Sequence, residues 1–483
     1  MFWGWNNMEL NNKITIETMN HNSYSLISNS GVILSEEGLK NSSSKRLNLL
    51  SQMEKHCTLK ENRRALNSDE TKEIIKRHGL TELIIEVTSA CNMRCTYCIF
   101  GENYEELRKH ENKNMNFDMA KSAIDTYFEL FKEARIYNPD RVPMIAFYGG
   151  EPLLNFDLIK RCTNYIKTIY EDEVLITLTS NGYLLTEEIA YFFKENSILP
   201  IFSLDGPKTE HDLHRVTGKN KGSFDVVMPK LKMTHEILGM PLFVNSVFSY
   251  DTDLNAVIDF FAEHQEFICI NLSPVSPVNT TYYDDFSQDV VRKFLDTYNS
   301  LQEEFYSYAR NKKEETTLKE KKRIYLLDIL FSKRCMNVIM RQIVNNEKPG
   351  VAYTATCIPG ERLFVDVDGL YYPCEKISRS RNIGNIHEGL DYNSITKYVN
   401  EYKSKIVDNC SMCNIKKVCS ACFNTFLIDG EFVKDQSICQ SNCESFAESF
   451  SNYCYLNELD ETWLDKFRTE YYKKVKELVV TLR

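Results

Sequence analysis

Long hydrophobic segments are absent from the sequence. Nowhere in its 483 residues do about 18 apolar residues follow one another, which is the length that a membrane-spanning helix needs. The N-terminal residues MFWGWNNMELNN also lack the apolar core and the cleavage site of a secretory signal peptide. We therefore expect a cytoplasmic protein that does not have a membrane as a partner.

An excess of positive charge is absent too. The chain has 58 Lys and Arg against 68 Asp and Glu, a net charge of -10, so its electrostatics give no support for a nucleic-acid partner. Internal repeats of a fixed period and low-complexity segments are also missing. At this length we expect a globular chain of two or three domains.

Cysteine is the residue type that the sequence has in excess. The cytoplasm keeps thiols reduced, so the 16 cysteines are better explained by metal ligation than by disulfides. Eleven of them fall into two groups, three at residues 91–98 and eight at residues 357–443. The others are scattered, and we interpret them as core or surface residues: Cys57, Cys162, Cys269, Cys335 and Cys454.

Short apolar runs alternate with helical patterns from residue 83 to about residue 275. Runs without polar alternation are typical of parallel strands that are buried on both faces. Six strand-helix units are too few to close an eight-stranded barrel, so we predict an α/β fold with a partial (β/α)6 TIM-type barrel. The predicted strands are LIIEVT at 83, MIAFYG at 144, VLITLTS at 174, PIFSLDG at 200, LFVNSVFS at 242 and FICINLSPV at 267.

The remaining segments differ from the barrel in composition. Residues 284–350 are charged and helical in pattern, which indicates a helical bridge. Residues 351–450 have short strands, turns and cysteines, which is typical of a small domain held by metal. We predict a C-terminal amphipathic helix in residues 451–483, a small α+β region in residues 1–80, and the barrel domain in residues 81–283.

The first cysteine group directly follows the first predicted strand. Its sequence, CNMRCTYC, spaces Cys91, Cys95 and Cys98 as C-x3-C-x2-C. Three thiols are one fewer than a structural zinc site needs, whereas three thiolates on a [4Fe-4S] cubane leave one iron open for another ligand. A zinc site completed by a distant ligand is the alternative. The end of a barrel strand is where a functional site is expected.

This array, with the aromatic Tyr97 before its third cysteine, resembles the cluster loop of the radical S-adenosylmethionine (SAM) enzymes. The resemblance implies a [4Fe-4S] cluster whose free iron binds SAM, with Tyr97 beside the adenine. After the second strand, Gly149, Gly150 and Glu151, followed by proline, resemble the GGEP motif of the same family. There the backbone and the glutamate accept hydrogen bonds from the amino group of SAM, although taken alone the motif also fits a plain turn.

Polar residues end the next two predicted strands, and the resemblance implies that they surround the ribose and carboxylate of SAM or lie near the substrate. A helix cap or a turn is the alternative for each of them. These residues are Ser180, Asn181, Ser203 and Asp205. The following HDLHR resembles a stretch found in one branch of the family, which implies Arg215 as a partner for the SAM carboxylate or for an acidic peptide. We interpret His211 and His214 as residues of a solvated helix face or loop rather than as metal ligands.

The second cysteine group resembles the SPASM domain, which carries two auxiliary iron-sulfur clusters in peptide-modifying radical SAM enzymes. The resemblance implies that the first auxiliary cluster is held by Cys357, Cys374 and Cys422, and the second by Cys410, Cys413, Cys419 and Cys439. The family more often has three residues between the fifth and sixth cysteines, where this chain has only Ser420 and Ala421. Cys443 either replaces the last of these ligands or supplies a fourth ligand to the first cluster. A pair of zinc-ribbon-like sites is the alternative.

Over residues of about 83 to 450, the chain resembles the sactipeptide and ranthipeptide maturases. This implies an enzyme that installs a thioether, or a related crosslink, from cysteine in a ribosomally made peptide. The implied partners are a precursor peptide with its leader and an electron donor such as flavodoxin or ferredoxin. Residues 1–80 have the length of a leader-recognition module that takes the leader by strand addition.

Two other functions stay open. An anaerobic sulfatase-maturing enzyme would oxidise a cysteine or serine to formylglycine. That group usually has another cysteine soon after the one matching Cys357, and an aspartate after the one matching Cys374, where this chain has Glu375. Glu375 is still our candidate catalytic base, with a solvated turn residue as the alternative. The other possibility is a non-catalytic, metal-stabilised scaffold for a peptide, which would not cleave SAM.

Overall fold

The computed structural model describes residues 13–27, 31–35, 37, 65–104, 107, 109–170, 173–311, 317–339, 341, 357–410, 412–416, 418–470 and 473. Cys57 and much of the predicted leader-recognition module lie outside these residues. The chain divides into two compact units. The larger comprises Lys72–Leu330, Pro359–Ile395 and Thr469–Arg483, and the smaller comprises Met1–Thr71, Phe331–Ile358 and Thr396–Arg468. The domain limits expected from the sequence stay predictions.

The smaller unit begins with a three-stranded antiparallel sheet. Its strands, in sheet order, are β1 (Lys13–Glu17), β2 (Ser23–Ile27) and β3 (Val32–Ser35). Thr18 and Asn20, which follow β1, donate hydrogen bonds to the Glu458 carboxylate at 2.8 and 2.7 Å. These bonds tie the sheet to the C-terminal part of the same unit.

A ten-stranded sheet forms the centre of the larger unit. Six of its strands are parallel neighbours in chain order and agree with the six predicted runs, so the α/β class and the partial barrel are confirmed. These strands are β4 (Glu82–Thr88), β5 (Met144–Gly149), β6 (Leu175–Ser180), β7 (Ile198–Ser203), β8 (Leu242–Phe248) and β9 (Phe267–Pro274).

Amphipathic helices precede and connect these strands. Several begin at a capping side chain, as when Asn116 accepts the Met119 N–H at 3.0 Å and starts the helix after β4. Their bounds are α1 (Ser68–His78), α2 (Phe117–Arg135), α3 (Phe156–Ile169), α4 (Glu187–Glu195), α5 (Lys208–His214), α6 (Phe224–Leu238) and α7 (Leu254–Glu263).

The two faces of the parallel sheet differ in exposure. In β5, Ile145 and Phe147 are fully buried, whereas Met144, Ala146 and Tyr148, which alternate with them, remain partly accessible. The later residues of β7 and β8 alternate in the same way. The expectation that both faces are buried therefore holds for β4, where Leu83 to Thr88 are all buried, and is wrong for the inner face of β5 and of the later parts of β7 and β8, because six strands leave the barrel open.

Four further strands extend the sheet beyond β4. β10 (Arg362–Val365) pairs with β4 in parallel, and the three others follow in antiparallel order. They are β11 (Leu370–Tyr372), β12 (Gly384–Asn385) and β13 (Gly389–Leu390). The tight turn between β10 and β11 is held by Asp366, whose carboxylate accepts the backbone N–H groups of Asp368 and Leu370 at 3.0 and 2.9 Å.

The other elements are helices and one short hairpin. They are α8 (Gln288–Asn311), α9 (Leu318–Phe331), α10 (Met336–Ile339), α11 (Tyr392–Lys405), β14 (Leu427–Ile428), β15 (Glu431–Phe432) and α12 (Gln436–Leu459). α8 and α9 fall within the predicted helical bridge, whereas α12 runs through the limit expected at residue 450. Among the helices in the described ranges, none combines the length and the apolar character needed to span a bilayer.

α12 contributes to an apolar core of the smaller unit. This core brings together side chains from β2, α10, the segment before β14, and α12. Its buried members are Leu26, Val338, Ile415, Val418, Phe446, Phe450 and Cys454. Three cysteines of the second group, Cys413, Cys419 and Cys443, pack against this core.

Candidate functional site

Four loops meet at the carboxyl ends of β4 to β7, all within the larger unit. These ends lie at one edge of a parallel sheet, so residues that follow different strands become neighbours there. The cysteine array follows β4, the glycine pair ends β5, Ser180 ends β6 and Ser203 ends β7. The residues predicted to hold SAM and its cluster lie on these loops or contact them.

Each sulfur of the cysteine array has a nitrogen neighbour. Cys91 Sγ accepts a backbone N–H from within the loop at 3.4 Å, and the Arg215 guanidinium donates to Cys95 Sγ at 3.9 Å. Cys98 Sγ lies 3.6 Å from Nε2 of His110. The N–H groups beside Cys91 and Cys95 stabilise negative charge on sulfur, which suits thiolate ligands.

The donor set fits a cluster better than a single metal ion. Burial raises the pKa of Cys91 and of Cys95 to about 12, so these thiols keep their protons at neutral pH until a metal displaces them. Three thiols suit three corners of a cubane, which binds each thiolate at a different iron, whereas a structural zinc ion takes four ligands.

The two glycines at the end of β5 let the backbone come against the cysteine loop. The Gly150 N–H donates to the Thr88 carbonyl and the Glu151 N–H donates to the Ala90 carbonyl, each at 2.9 Å. Gly149 has a φ of 148°, and a Cβ on either glycine would overlap backbone oxygens of this loop. Only glycine permits this approach.

Glu151 is buried at the centre of the four loops. Its Oε1 accepts the Leu153 N–H at 3.0 Å and the Ser180 hydroxyl at 2.8 Å, and its Oε2 accepts the Asn181 N–H at 2.8 Å. Burial nevertheless raises the pKa of this carboxyl to about 7. A carboxylate offers about four acceptor positions, so one remains for a donor on a ligand.

Asn92, inside the cysteine array, carries a buried donor. Its carbonyl oxygen accepts the side-chain amide of Asn181 at 2.9 Å. Its own amide nitrogen has no hydrogen-bond partner among the described residues. Leaving a buried donor unpaired costs about 1–3 kcal/mol, so this nitrogen favours a ligand that presents an oxygen acceptor.

Asp205 joins three elements through its buried carboxylate. Its Oδ2 accepts the Tyr97 hydroxyl, and also Nε of Arg215 at 2.8 Å, while its Oδ1 accepts the Val247 N–H at 3.0 Å. Asp205 and Arg215 are 2% and 7% exposed. Burial alone would lower the pKa of Arg215, but the Asp205 carboxylate holds it above its ordinary value. Arg215 thus has a partner within the chain, and its pairing with a SAM carboxylate or an acidic peptide stays a prediction.

The two histidines of α5 are buried, so the interpretation as a solvated face is wrong. His211 Nε2 lies 2.9 Å from the Ser223 hydroxyl, and burial lowers the pKa of this ring to about 4. His214 Nδ1 lies 2.7 Å from the Thr96 hydroxyl, and its Nε2 lies 3.1 Å from Asp251. Each ring finds polar partners inside the unit, which is what makes its burial possible.

Of the two other predicted residues, Ser203 ends β7 at the edge where the four loops meet, and Glu375 lies elsewhere on the sheet. Ser203 is partly accessible and pairs in register with Asn245 of β8. Glu375 follows β11 and lies 3.6 Å from Arg362, which also donates to Glu82 at 2.7 Å. Because Glu82 begins β4, Glu375 lies at the opposite end of that strand from the cysteine array. Its role as a base stays a prediction.

Five cysteines of the second group lie near one another in the smaller unit. The thiols of Cys413 and Cys443 are joined by a hydrogen bond, and the Lys434 ammonium lies 3.3 Å from Cys410 Sγ. The five are Cys410, Cys413, Cys419, Cys439 and Cys443. The ligands predicted for the first auxiliary cluster are divided between the units, with Cys374 in the larger and Cys357 and Cys422 in the smaller. That cluster stays a prediction.

Sequence reasoning missed several groups at this site. His110 lies twelve residues from Cys98, and no spacing rule links a histidine to this array. Asn92 lies inside the array, but nothing in the sequence indicates that its amide nitrogen is buried without a partner. The carbonyls of Thr88 and Ala90 are backbone groups, so residue types do not single them out. In the sequence, only the glycine pair indicates a close approach of one backbone to another.

Comparison with known proteins shows that part of the chain matches the model of a known family. Residues 85–253 match the family model described as the Radical SAM superfamily. Over 242 residues the chain is 29% identical to the radical SAM cyclopropyl synthase TigE of Paramaledivibacter caminithermalis, covering 49% of each chain. Over 159 residues it is 34% identical to the cysteine-type anaerobic sulfatase-maturating enzyme of Clostridium novyi, covering 32% of this chain and 40% of that one. The chain thus spans about half, or less, of the length of these relatives.

A solved structure shares the fold. The structure of anSMEcpe with bound AdoMet matches with a TM-score of 0.56 and 19% identity, over 81% of this chain and 98% of that one. A second structure of anSMEcpe, with AdoMet and the Cp18Cys peptide, matches with a TM-score of 0.52 and 21% identity, over 78% of this chain and 98% of that one. At these identities the likeness shows the fold.

Replacing Gly150 with alanine should separate the glycine turn from the cysteine loop. The new Cβ would overlap the Ala90 carbonyl oxygen, so the loop must shift and hold iron poorly. We expect Gly150→Ala to lose about four irons per chain after anaerobic reconstitution, as measured by iron and sulfide analysis. Gly218→Ala is the matched control, because a Cβ there meets nothing within 4 Å. Full iron content in the Gly150 variant would contradict this account of the turn.

Removing the charge of Asp205 should destabilise the larger unit. Asp205→Asn leaves the Arg215 guanidinium buried without its counter-charge, which costs about 3–5 kcal/mol in the free energy of unfolding. Urea unfolding measures this loss. Asp225→Asn is the control, because Asp225 also pairs with a basic residue, Lys208, but is 74% exposed. There we expect a change below about 0.5 kcal/mol. Equal effects in the two variants would rule out a structural role for the buried pair.

Proposed function

Residues 85–253 are a Radical SAM domain, and from that premise we propose that the chain is a radical SAM enzyme that modifies a cysteine-containing peptide. The observation that carries the proposal is the meeting of the four loops. Three thiols with nitrogen neighbours, a buried carboxyl with a spare acceptor position and an unpaired amide donor lie at one edge of the sheet. The thiols suit the irons of a cluster, and the carboxyl and the amide donor suit the polar groups of SAM.

A [4Fe-4S] cluster and SAM, when bound, supply a 5'-deoxyadenosyl radical that takes a hydrogen atom from the substrate. The residues of the chain do the binding and the positioning. Cys91, Cys95 and Cys98 would hold the cluster. Glu151 would accept the amino group of SAM, and Asn92 would donate to one of its oxygens.

Tyr97 would present its ring at the site from a fixed position. Its hydroxyl is bound by Asp205, and the Arg215 guanidinium carbon lies 5.5 Å from the centre of its ring. A side chain anchored at its far end keeps its face in place while a ligand stacks on it. This supports a place for Tyr97 beside the adenine.

The inner face of the parallel sheet supports a polypeptide substrate. Partly accessible positions near the carboxyl ends of the strands include Thr179, Ser203 and Asn245, which share that face. Their neutral hydroxyl and amide groups match the N–H and C=O groups of a peptide backbone. A substrate on this face would lie beside the four loops and away from bulk water.

We propose thioether formation from a substrate cysteine as the specific reaction. A hydrogen atom leaves a carbon of the peptide, the cysteine thiol loses its proton, and one further electron must leave before the C–S bond is complete. The second cysteine group supports this reaction, because a cluster held there would offer an acceptor for that electron. The proposed partners are a precursor peptide with its leader and a reductant such as flavodoxin or ferredoxin.

Formylglycine formation is the second candidate. It is supported by the 34% identity to a cysteine-type anaerobic sulfatase-maturating enzyme and by the fold shared with anSMEcpe. Glu375 in place of the expected aspartate, and its ion pair with Arg362, are the features that weaken it. Both reactions begin with a hydrogen abstraction, from the Cβ of the cysteine itself for formylglycine and from the carbon that the sulfur joins for a thioether, so the product has to separate them.

Reductive cleavage of SAM tests the proposal in its first step. The reconstituted chain should release 5'-deoxyadenosine with dithionite, whereas Cys95→Ala should lower the rate at least about a hundredfold, because its cluster loses one of three ligands. Cys162→Ala is the control, since this cysteine is buried in α3 away from the site. Liquid chromatography measures the nucleoside. A chain that keeps its iron and yet releases none would be a peptide-binding scaffold.

The mass of a modified peptide separates the two reactions. A thioether removes two hydrogens and keeps the sulfur, whereas formylglycine formation from cysteine replaces sulfur with oxygen. We expect the loss of two hydrogens from a cysteine-containing peptide encoded near the gene, with no free thiol left to alkylate. A product that lacks sulfur would establish the second candidate instead.

SAM binding should weaken as the pH falls through neutrality. The pKa of Glu151 is raised to about 7, and only the ionised carboxylate attracts a positive amino group. Between about pH 8 and pH 6 its ionised fraction falls roughly tenfold, and the affinity should follow. Equilibrium dialysis of SAM against the reconstituted chain measures this. Glu151→Gln should bind SAM weakly at both pH values, and a pH dependence that persists in this variant would assign the effect to another group.

A further inference from the structure

One helix face in the smaller unit carries two cysteines. α12 begins after Asp435, whose side chain accepts the Ser437 N–H at 2.7 Å. Cys439 lies in the first turns of the helix and Cys443 lies one turn later. Side chains four residues apart on a helix point to the same side, one above the other. Both thiols are therefore presented to the same neighbour.

That neighbour is the turn-rich segment that carries three further thiols. Cys443 is hydrogen-bonded to Cys413, and Cys439 interacts electrostatically with Cys410 and Cys413. Cys419 in turn interacts with the other two cysteines of its own segment and with Cys439. Three thiols from the segment and two from the helix thus form one network of electrostatic interactions.

The surroundings carry the positive charge that a thiolate cluster needs. The Lys434 ammonium lies 3.3 Å from Cys410 Sγ and 2.7 Å from the Asn409 carbonyl. Lys416 is only 3% exposed and interacts electrostatically with Cys413. Burying an ammonium group is costly unless negative charge compensates it.

The two helix thiols differ in their surroundings. Cys443 packs against the apolar core that contains Phe446 and Phe450. Of the charged groups near Cys439, the Lys434 ammonium has the largest electrostatic effect on its thiol. A metal bound to Cys443 would lie against the apolar core, and a metal bound to Cys439 would lie nearer the Lys434 ammonium group.

We propose that Cys439 and Cys443 are alternative fourth ligands of one [4Fe-4S] cluster held by Cys410, Cys413 and Cys419. A cubane has four iron corners, and five thiols are available to them. In the exchange, one iron–sulfur bond forms as the other breaks, and the proton of the incoming thiol passes to the released one, so no electron is gained or lost. The inference rests on the auxiliary clusters of the proposed function.

Alkylation of the wild-type holoprotein tests the exchange without any substitution. The reconstituted chain is treated anaerobically with iodoacetamide, digested and analysed by mass spectrometry. We expect the label to be divided between Cys439 and Cys443, with the three thiols of the turn-rich segment protected. Label on one of the two helix thiols alone would mean a fixed ligand set and would overturn the proposal.

Substitutions test the same point by counting iron. Cys439→Ala and Cys443→Ala should each keep the iron and sulfide content of the wild type, whereas the double variant, left with three thiolates and one open corner, should lose at least about one iron per chain. Cys454→Ala is the control, since Cys454 lies on the same helix and within the same apolar core. A single variant that loses as much iron as the double variant, or a double variant that loses none, would refute the exchange.

These readouts separate this inference from the proposed function. They count iron and labelled thiols, so they do not depend on SAM cleavage or on a peptide, and a chain that modifies no peptide can still pass them. Circular dichroism shows whether the helix is intact in each variant. If the double variant has lost it, the alkylation of the wild type decides. Zinc in place of iron in the wild type would contradict the cluster itself.

Discussion

Two backbone hydrogen bonds hold the candidate site together. They run from the N–H groups of Gly150 and Glu151 to the carbonyls of Thr88 and Ala90, across the carboxyl ends of two neighbouring strands. A Cβ on either glycine would overlap the backbone oxygens of this contact, which explains the glycine pair. The same contact fixes the direction of the Glu151 side chain, so that it reaches Ser180 at the end of the next strand. One close approach therefore connects three of the four loops.

The site contains two buried carboxyl groups whose environments differ. Asp205 is paired with the guanidinium of Arg215, so its charge is balanced within the chain. Glu151 is bonded mainly to neutral donors, and its pKa is raised by burial. Neutral donors orient a carboxylate without balancing its charge, so Glu151 gains most from a positive group on a ligand. The first carboxyl holds Tyr97 and Arg215 in position, and the second is suited to receive a ligand.

The sequence was sufficient to predict the six parallel strands, because each is a continuous apolar run with turn residues at its end. Cysteine spacing and the glycine pair likewise indicated where the site lies. The burial of His211 and His214 was not predictable, because it depends on Ser223 and Asp251, which are distant in the chain. The open inner face was missed for another reason. The run MIAFYG is apolar on both faces, so it does not show that Ala146 and Tyr148 remain partly accessible.

The first cysteine group and the five-cysteine cluster of the smaller unit depart from four ligands in opposite directions. If each holds one cubane, the first group leaves one iron without a thiolate, and the five-cysteine cluster has one thiolate more than its irons can bind. A missing ligand lets a molecule from outside reach the metal, and the buried groups around Cys91 are suited to hold such a molecule. A surplus ligand has the opposite effect, because an iron that loses one of the two helix thiols finds the other one helical turn away. In that case the first cluster would be open to a ligand, and the second would be closed to it while still able to pass an electron.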